Sequence, residues 1–294
     1  MSEILKVENL NVAFKTADGI VHAVDNLSFS LSTGETLAIV GESGSGKSVT
    51  ASAIMGLLNA GNVEISGNIE VNNTKILTSK DSEIRKIRGK DVAMVFQDPL
   101  SALNPYYTVG DQIGEAYLTH HPKASKEEVN KKVLEVMKKV GIPEIEKRIN
   151  SYPHEFSGGM RQRVVIAIAL INDPKILIAD EPTTALDVTV QAQILDLMRD
   201  LQKQSNTAII LITHDLGVVA EMVNRVLVMY AGRAIEVANV ESIFESPNHP
   251  YTKGLLSAVR SLDTQVHAKL ETIPGTPPSL LNIPQGCSFN PRCS

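Results

Sequence analysis

One segment constrains the fold of this chain more than any other: residues 41–48 read GESGSGKS and directly follow the apolar run TLAIV. The pattern GxxxxGK(S/T) between a strand and a helix predicts a loop whose backbone N–H groups converge on a phosphate group. We predict the helix from about residue 47 to residue 58. A Gly/Ser-rich surface turn is the alternative, and agreement along the whole motif and on both flanks disfavours it. Strand, loop and helix together predict a parallel α/β sheet.

Each residue type in this loop has a chemical reason to be there. Glycines let the backbone bend around phosphate oxygens, and the helix N-terminus adds about half a positive charge. We expect Lys47 to reach the β- and γ-phosphates of a nucleotide and the Ser48 hydroxyl to bind Mg²⁺. The nucleotide-binding residues expected here are Gly41, Ser43, Gly44, Ser45, Gly46, Lys47, Ser48 and Val49.

A nucleotide site of this kind also needs a carboxylate for the metal and a group that activates water. Asp180 ends the apolar run ILIA, where it would bind Mg²⁺, and Glu181 follows it directly as a candidate general base. Gln97 follows VAMVF and is expected to offer its amide to Mg²⁺ or water. His214 follows AIILIT and would contact the γ-phosphate or hold the water with Glu181. A solvated Gln and a His that caps backbone carbonyls are the structural alternatives.

A second candidate anion site lies far along the chain, in the stretch FSGGMRQR at residues 156–163. The segment 164–171 is apolar on every side, which predicts a buried helix that begins at Ser157-Gly158-Gly159. Arg161 and Arg163 then fall in the first turn, where the helix dipole disfavours cations. Either an anion from elsewhere occupies this helix start, or both arginines point to solvent or to carboxylates of a helical insert. The residues alone favour neither.

Composition excludes several classes of protein. The chain has 294 residues with 28 Lys and Arg against 33 Asp and Glu, so its net charge of -5 argues against nucleic-acid binding. No apolar run reaches the roughly 20 residues that span a bilayer, and the start MSEILKVENL lacks a signal-peptide pattern. We therefore expect a cytoplasmic chain that meets a membrane only through partners. The two cysteines, Cys287 and Cys293, cannot supply a disulfide framework for the fold.

The coarse pattern along the chain predicts a mixed fold. Segments 4–14 and 20–32 alternate polar and apolar residues, which predicts antiparallel strands, and residues 61–77 resemble a hairpin that turns at Gly67-Asn68. From about residue 99 to residue 158 we expect a helical insert, with a capping box at Ser125 and Glu128 and a helix end at Gly141.

The α/β pattern resumes after the insert. We predict strands at 175–180, 208–213 and 225–230, and a helix through the apolar positions between Val190 and Leu201. Beyond Ala238 the chain is punctuated by prolines and is expected to form an extension outside the sheet.

Taken together, these motifs resemble one family closely, the ATP-binding cassette ATPases. GESGSGKS resembles its Walker A motif, Gln97 its Q-loop, FSGGMRQR its signature, ILIADE its Walker B motif, residues 184–187 its D-loop and His214 its switch histidine. All six occur in the family order, and FSGGM departs slightly from the commonest LSGGQ. Phe14 falls where the family stacks an aromatic ring on adenine, although a core Phe at a strand end is as common.

The resemblance implies a fold and a pairing. The fold is that of an α/β P-loop NTPase, with a RecA-like parallel sheet, an N-terminal antiparallel β subdomain, the helical insert and a C-terminal extension; the ATPase domain would span 1–238 and the extension 239–294. Two such domains would pair head to tail, so that Ser157, Gly158, Gly159 and Asp187 face ATP held by the other subunit. ATP would close the pair, and hydrolysis would open it.

Within the family, the chain is similar to the oligopeptide, dipeptide and nickel importer group through QDPLSALNP, SPNHPYTKGLL and IPGTPPSLLNIPQGCSFNPRC. This resemblance implies an ATPase that works with a homologous second ATPase, two membrane permease subunits and, indirectly, an extracytoplasmic solute-binding protein. A heterodimer is favoured over a homodimer, and the chain would lie at the cytoplasmic face of the membrane. A nickel importer, a DNA-repair or chromosome-type ATPase and an ATP-binding module without hydrolysis are the alternatives.

The two cysteines have a separate implication. Many members of this group bind a 4Fe-4S cluster through four cysteines, and Cys287 and Cys293 match the first two of them. Two thiolates do not complete such a site. We expect further residues after Ser294 in a full-length form, and two reduced thiols in the chain as it stands.

Overall fold

The structure is a computed structural model that describes residues 2–58, 60–184, 186–263 and 273–293. Its strands are β1 Glu3–Thr16, β2 Gly19–Ser32, β3 Thr36–Val40, β4 Val63–Val71, β5 Thr74–Lys75, β6 Val92–Val95, β7 Ile176–Asp180, β8 Ala208–Ile212, β9 Arg225–Tyr230 and β10 Arg233–Asn239. Its α-helices are α1 Lys47–Ile54, α2 Asp81–Ile87, α3 Pro99–Ala102, α4 Val109–Leu118, α5 Lys126–Lys139, α6 Ile145–Arg148, α7 Gly158–Leu170, α8 Val188–Ser205, α9 Leu216–Met222, α10 Val240–Glu245 and α11 Pro250–Asp263. Short 3₁₀ helices cover Pro153–Glu155 and Asn290–Arg292.

The chain divides into two compact units. The first contains Met1–Thr78 and Ile210–Ser294, and the second contains Ser79–Ile209. The first unit therefore holds the phosphate loop (residues 41–48) and the C-terminal residues, and the second holds the helical insert and the segments around Glu181 and Ser157. The predicted domain boundary at residue 238 stays a prediction.

The first unit contains an antiparallel sheet with the strand order β2-β1-β4-β5. β1 and β2 pair in antiparallel register, with Leu10 opposite Leu27 and Val12 opposite Val24. These four side chains are buried, and their polar neighbours along the strands are more exposed. The period-two alternation thus arises because one face of each strand packs on the core, and the prediction for these segments is confirmed.

The predicted turn at Gly67-Asn68 is wrong. β4 runs straight through it and pairs with β1, with a register shift between Glu8 and Asn11. Gly67 has a φ of 109° at this irregularity, and a Cβ there would press on the Asn9 carbonyl oxygen. The chain reverses instead at Asn72 and Asn73, whose φ values of 46° and 66° suit a tight hairpin turn. The extra residue lies in β1, where Asn9 has a φ of 48°, and Gly67 lies opposite this β-bulge.

The first unit also contains the strand that leads into the phosphate loop. β3 pairs in parallel with β9, which pairs antiparallel with β10. β8 lies along β3, where Thr213 N–H donates to the Ile39 carbonyl oxygen at 3.4 Å. All five residues of β3 are buried, as its continuous apolar sequence predicts. α1 ends at Ile54 rather than near residue 58, because Gly56 adopts a φ of 63°.

The second unit combines short strands with most of the helices. β6 and β7 pair in parallel, with Val92 opposite Ile176, and Ala208 at the start of β8 donates to the Lys175 carbonyl oxygen at 2.9 Å. α7 packs against α4, α5 and β6, and its apolar residues are mostly buried. The predictions of a buried helix here and of a helical insert before it are confirmed.

Helix-boundary signals in the insert are confirmed in part. Ser125 caps α5 by accepting a hydrogen bond from the Glu128 N–H group at 3.2 Å, and Gly141 follows the helix end with a φ of 73°. The reciprocal half of the predicted capping box is replaced, because Glu128 Oε1 accepts a 2.9 Å hydrogen bond from the Tyr117 hydroxyl. The Glu128 side chain thus binds Tyr117 of another helix instead of the backbone N–H group of Ser125.

Candidate functional site

The phosphate loop is shaped by two glycines that tolerate no side chain. Gly41 and Gly46 have φ values of 149° and 102°, and a Cβ on them would collide with the carbonyl oxygens of Met229 and Ala23. Gly46 ends the loop and caps α1, so the first N–H groups of that helix face the loop. This tight backbone is the reason why the motif requires glycine at these positions.

Lys47 lies across the loop instead of extending into solvent. Its Nζ donates to the carbonyl oxygens of Gly41 and Glu42 at 2.8 and 2.9 Å and to Ser45 Oγ at 3.4 Å. The side chain is buried with 7% exposure, whereas Ser43, Gly44 and Ser48 are exposed. A buried ammonium group beside a helix N-terminus makes this loop electropositive and suited to a polyanion.

In the second unit, Glu181 has a constrained position directly after β7. Its Oε2 accepts hydrogen bonds from Gln97 Nε2 at 2.8 Å and from Thr184 Oγ1 at 2.9 Å. Glu181 also adopts a left-handed φ of 46°, which costs a non-glycine residue energy and is frequent at functional sites. The structure therefore brings together two predicted site residues, Gln97 and Glu181, and adds Thr184 as a partner that the sequence reasoning did not single out.

Asp180 is the last residue of β7 and has 6% exposure, while Glu181 beside it is half-buried. The strand ends between them and Glu181 has a left-handed φ, so the two adjacent carboxylates have different surroundings. Such a pair can divide metal binding and base catalysis between its members.

His214, in the first unit, is exposed at the end of β8. The next residue, Asp215, caps α9 by accepting hydrogen bonds from the N–H groups of Gly217 and Val218 at 2.9 and 3.3 Å. His214 therefore lies in the short connection between β8 and α9.

The start of α7 is exposed, as a site for an outside ligand would require. Ser157 caps the helix by accepting from the Met160 N–H group at 3.4 Å, and Ser157 and Gly158 are exposed. A Cβ on Gly158 would lie 3.8 Å from Leu186 Cδ2, an ordinary contact, whereas one on Gly159 would collide with Val190 Cγ1. Gly159 is thus required by packing within the chain, and Gly158 is not.

Of the two explanations for these arginines, contact with solvent or with carboxylates is wrong, because both side chains donate to backbone carbonyl oxygens; an anion at this helix start stays a prediction. Arg161 Nε donates to the Pro153 carbonyl oxygen at 2.8 Å, and Arg163 Nη1 donates to the Val140 carbonyl oxygen at 2.6 Å. Arg163 therefore lies at the C-terminal end of α5, where the helix dipole favours a cation. The long side chains extend away from the start of α7 and donate hydrogen bonds to carbonyl groups of neighbouring segments.

The remaining predicted site residues lie in ordinary structural positions. Asp187 caps α8 by accepting from the Val190 N–H group at 2.9 Å, next to Val188, which is 83% exposed. Phe14 is half-buried in β1, opposite Val21 and Val63. Ala185 of the predicted D-loop lies outside the described residues.

Sequence reasoning missed the C-terminal residues that contact the phosphate loop. Arg292 binds the Glu42 carboxylate at 2.8 and 3.2 Å, and this hydrogen bonding raises the Arg292 pKa above its ordinary value. The Glu42 N–H group donates to the Tyr251 hydroxyl, and burial raises the pKa of that hydroxyl. Separations of 250 and 209 residues leave no local signal for these contacts.

Both cysteines lie in the C-terminal part of the first unit. Cys287 and Cys293 are exposed, and Cys287 Sγ lies 4.0 Å from His249 Nε2. Within the part of the chain that the structure describes, no group of three His, Cys, Asp or Glu residues could hold a metal ion. Over the same residues, no helix is long and apolar enough to cross a membrane.

Two family models match the sequence. The model for "ABC transporter" covers residues 24–184, and the model for "Oligopeptide/dipeptide transporter, C-terminal region" covers residues 235–294. The first match includes the phosphate loop, Gln97, the α7 start and Glu181.

Relatives match along almost the full chain. The dipeptide transport ATP-binding protein DppD of Bacillus subtilis (strain 168) is 55% identical over 294 residues, which is 100% of this chain and 87% of that protein. The oligopeptide transport ATP-binding protein OppD of Escherichia coli (strain K12) is 54% identical over 290 residues, covering 99% of this chain and 85% of that protein.

Solved structures show the same fold. A dimer of the ATP-binding cassette MJ0796, bound to ADP and Pi in a post-hydrolysis state, matches with a TM-score of 0.71 and 30% identity over 80% of this chain and 98% of that chain. The structure of cbiO1 from Clostridium perfringens, part of the ABC transporter complex cbiONQ, matches with a TM-score of 0.71 and 30% identity over 90% and 96%. The predicted P-loop NTPase fold is confirmed, and the chain belongs to the ABC transporter family as one of its ATP-binding cassette ATPases.

Proposed function

We propose that this chain is the ATP-hydrolysing subunit of a membrane importer for dipeptides or oligopeptides. The observation that carries the proposal is the Glu181 carboxylate, held by Gln97 and Thr184 directly after a buried strand. A pure nucleotide-binding module has no need for such a residue. The peptide class is supported by the relatives named above and by the match of residues 235–294 to a C-terminal region of oligopeptide and dipeptide transporters.

ATP binding is assigned to the phosphate loop, with Mg²⁺ as the metal. Lys47 and the loop N–H groups would bind the phosphates, and Val49 lies in the first turn of α1. The donors Ser48, Gln97 and Asp180 offer hydroxyl, amide and carboxylate oxygens, a set that suits a hard cation. Mg²⁺ would supply charge neutralisation at the transferred phosphoryl group. Phe14 is proposed to stack on the adenine.

Glu181 is proposed as the general base for the attacking water. Hydrogen bonds from Gln97 and Thr184 fix the plane of the carboxylate, so little reorganisation is needed when a proton is taken up. His214 is proposed to contact the γ-phosphate or to hold the same water. Glu181 lies in the second unit and His214 in the first. Each role is assigned from the chemistry of the side chain and from the family motif that the residue matches.

A second ATPase subunit is proposed to complete the site, through Ser157, Gly158, Gly159 and Asp187. The support is their exposure: Ser157, Gly158 and Asp187 are exposed, and the apolar Val188 is 83% exposed beside them. An exposed helix N-terminus next to an exposed apolar side chain suits a partner that carries a phosphate. A heterodimer with a homologous ATPase is the favoured arrangement.

The chain is further proposed to lie at the cytoplasmic face of a membrane, bound to two permease subunits that receive solute from an extracytoplasmic binding protein. Three exposed aromatic residues within about ten positions of Gln97 in sequence support a protein contact: Phe96, Tyr106 and Tyr107 are 47%, 85% and 57% exposed. Exposed aromatic side chains are enriched at interfaces. A 4Fe-4S cluster would need ligands beyond Cys287 and Cys293.

Transport in a purified complex tests this function. The chain is assembled with its homologous ATPase and permease subunits in vesicles, and uptake of a labelled dipeptide, a labelled pentapeptide and ⁶³Ni²⁺ is measured with and without MgATP. We expect ATP-dependent uptake of a peptide that stops when Lys47 is changed to Met. ATP-dependent uptake of nickel without peptide uptake would contradict the proposed substrate class.

A further inference from the structure

Glu42, the second residue of the phosphate loop, is held by side chains from the C-terminal part of the chain. Its N–H group donates to the Tyr251 hydroxyl at 2.9 Å, and its carboxylate accepts from Arg292 at 2.8 and 3.2 Å. Its carbonyl oxygen accepts from Lys47 Nζ at 2.9 Å. All three polar groups of this residue are therefore engaged, and two of them by residues far away in sequence.

Arg292 is itself firmly placed. Its side chain is only 6% exposed, its Nε donates to the Pro274 carbonyl oxygen at 2.8 Å, and its Nη1 lies 3.3 Å from the Tyr230 hydroxyl. The Phe289 ring packs against Tyr230 and Tyr251 at 5.3 and 5.5 Å between centroids. A guanidinium group held on several sides cannot easily follow its carboxylate partner elsewhere, so it fixes the position of Glu42.

Because Glu42 carries a negative charge, its contact with Arg292 affects the electrostatics of the loop as well as its structure. The loop is built to receive a polyanion, and a carboxylate in it would repel the phosphates of a nucleotide. The repulsion is poorly screened because the Glu42 side chain is only 26% exposed. Arg292 places a full positive charge on this carboxylate and so cancels most of its field toward the loop.

We propose that Arg292 is a positioning residue for the phosphate loop: it neutralises Glu42 and, together with Tyr251, fixes the Glu42 peptide for ATP binding. The inference rests on the proposed ATP binding at residues 41–48. It makes the nucleotide affinity of the cassette depend on the fold of residues 273–293, a segment that contributes no phosphate ligand of its own.

Binding of a fluorescent ATP analogue to the purified chain, in the presence of Mg²⁺, measures the effect. We expect Arg292→Met to weaken ATP binding about tenfold, which corresponds to about 1.4 kcal/mol. ADP binding should weaken less and adenosine binding hardly at all, because the repulsion grows with the charge of the ligand. A merely structural role would weaken all three ligands by a similar factor.

Removing the Glu42 carboxylate is a second test of charge neutralisation by Arg292. Glu42→Gln is expected to bind ATP at least as tightly as the wild type, and Glu42→Gln/Arg292→Met should bind ATP more tightly than Arg292→Met alone. This arm keeps the inference testable if Arg292→Met does not fold, because Glu42→Gln retains Arg292 and its other contacts. Weaker ATP binding by Glu42→Gln would overturn the role of charge neutralisation.

The matched control is Arg225→Met. Arg225 pairs with Glu35 at 2.9 Å in the same unit, at the start of β9, whereas the phosphate loop follows the far end of the neighbouring β3. It should lower the thermal unfolding midpoint as Arg292→Met does, yet leave ATP affinity unchanged. Unchanged ATP affinity in Arg292→Met would overturn the role proposed for Arg292 and leave the proposed function intact. A wild-type chain that binds no ATP would instead contradict the proposed function.

Discussion

Gln97 Nε2 donates a 2.8 Å hydrogen bond to Glu181 Oε2, across 84 residues of sequence. Thr184 Oγ1 donates to the same oxygen at 2.9 Å. Two donors on one carboxylate oxygen hold the group in a defined plane, and the left-handed backbone at Glu181 sets the direction in which it leaves the strand. The candidate base is thus oriented by side chains of its own unit.

Thr184→Val should lower the turnover number of the assembled transporter about tenfold, with little change in KM for ATP. Valine keeps the shape of threonine but removes one of the two donors that orient Glu181, and the gain from a positioned base is about 10²–10⁴-fold. Steady-state ATP hydrolysis as a function of ATP concentration separates the two constants. Thr183→Val, at the neighbouring half-buried threonine, is the control. A rise in KM at unchanged turnover would argue against an orienting role.

Gly158→Asp should leave ATP binding by the single chain intact while it abolishes ATP-driven pairing and hydrolysis. The added side chain has room within the chain, since the nearest atom to a Cβ is Leu186 Cδ2 at 3.8 Å. Its negative charge would oppose a phosphate carried by the partner, by several kcal/mol if desolvated. Nucleotide titration of the monomer and light scattering with ATP report on the two steps.

Gly61→Asp is the control for that variant, because Gly61 is also exposed and a Cβ on it would meet nothing within 4 Å. It should behave as the wild type in both assays. Loss of ATP binding by the Gly158→Asp monomer would mean that α7 serves the nucleotide of its own chain.

Much of the fold follows from patterns that are local in sequence. β3 and β7 are predictable because continuous apolar runs bounded by turn residues suit buried strands, and α5 because its Ser125 cap and Gly141 end have local causes. The turn predicted at Gly67 failed because a glycine with a positive φ can serve a hairpin turn or lie opposite a β-bulge. Only the partner strand decides between them, and pairing with β1 cannot be read from residues 61–77 alone.

For the candidate site, the motif residues were predictable and their partners were not. A P-loop pattern constrains neighbouring residues, so Gly41, Gly46 and Lys47 could be placed from sequence. The arginines at the start of α7 could not be placed, because Arg163 reaches Val140, a residue of another helix end. The contact between Glu42 and Arg292 depends on how the end of the chain packs, which no spacing rule describes.

Glu236 is expected to make the first unit sensitive to acid. Burial raises its pKa, but hydrogen bonds from the Asn248 and His249 N–H groups, at 2.8 and 3.0 Å, outweigh this and lower the pKa below its ordinary value. A carboxyl group with a lowered folded-state pKa stabilises the protein above its unfolded pKa. That stability is lost as the pH falls below about 4.3 and through the folded-state pKa.

His249 acts in the same direction, since burial lowers its pKa in spite of the Glu236 charge. The unfolded chain takes up this proton first as the pH falls below about 6.5, which favours unfolding. Glu236→Gln should cost about 1–2 kcal/mol at pH 7 and flatten the loss of stability between about pH 5 and pH 3. Urea denaturation across that range measures both effects. Glu245→Gln, at an exposed carboxylate, is the control, and an unchanged acid slope in Glu236→Gln would contradict the assignment.

The most direct test of the account is single-turnover ATP hydrolysis by the assembled transporter with Glu181→Gln. Glutamine keeps the size of the side chain but cannot accept the proton of the attacking water, so hydrolysis should fall at least about 100-fold while ATP affinity stays within about threefold. The variant should also remain paired with ATP bound, because the bridging γ-phosphate persists. Hydrolysis at the wild-type rate would contradict the assignment of Glu181 as the base.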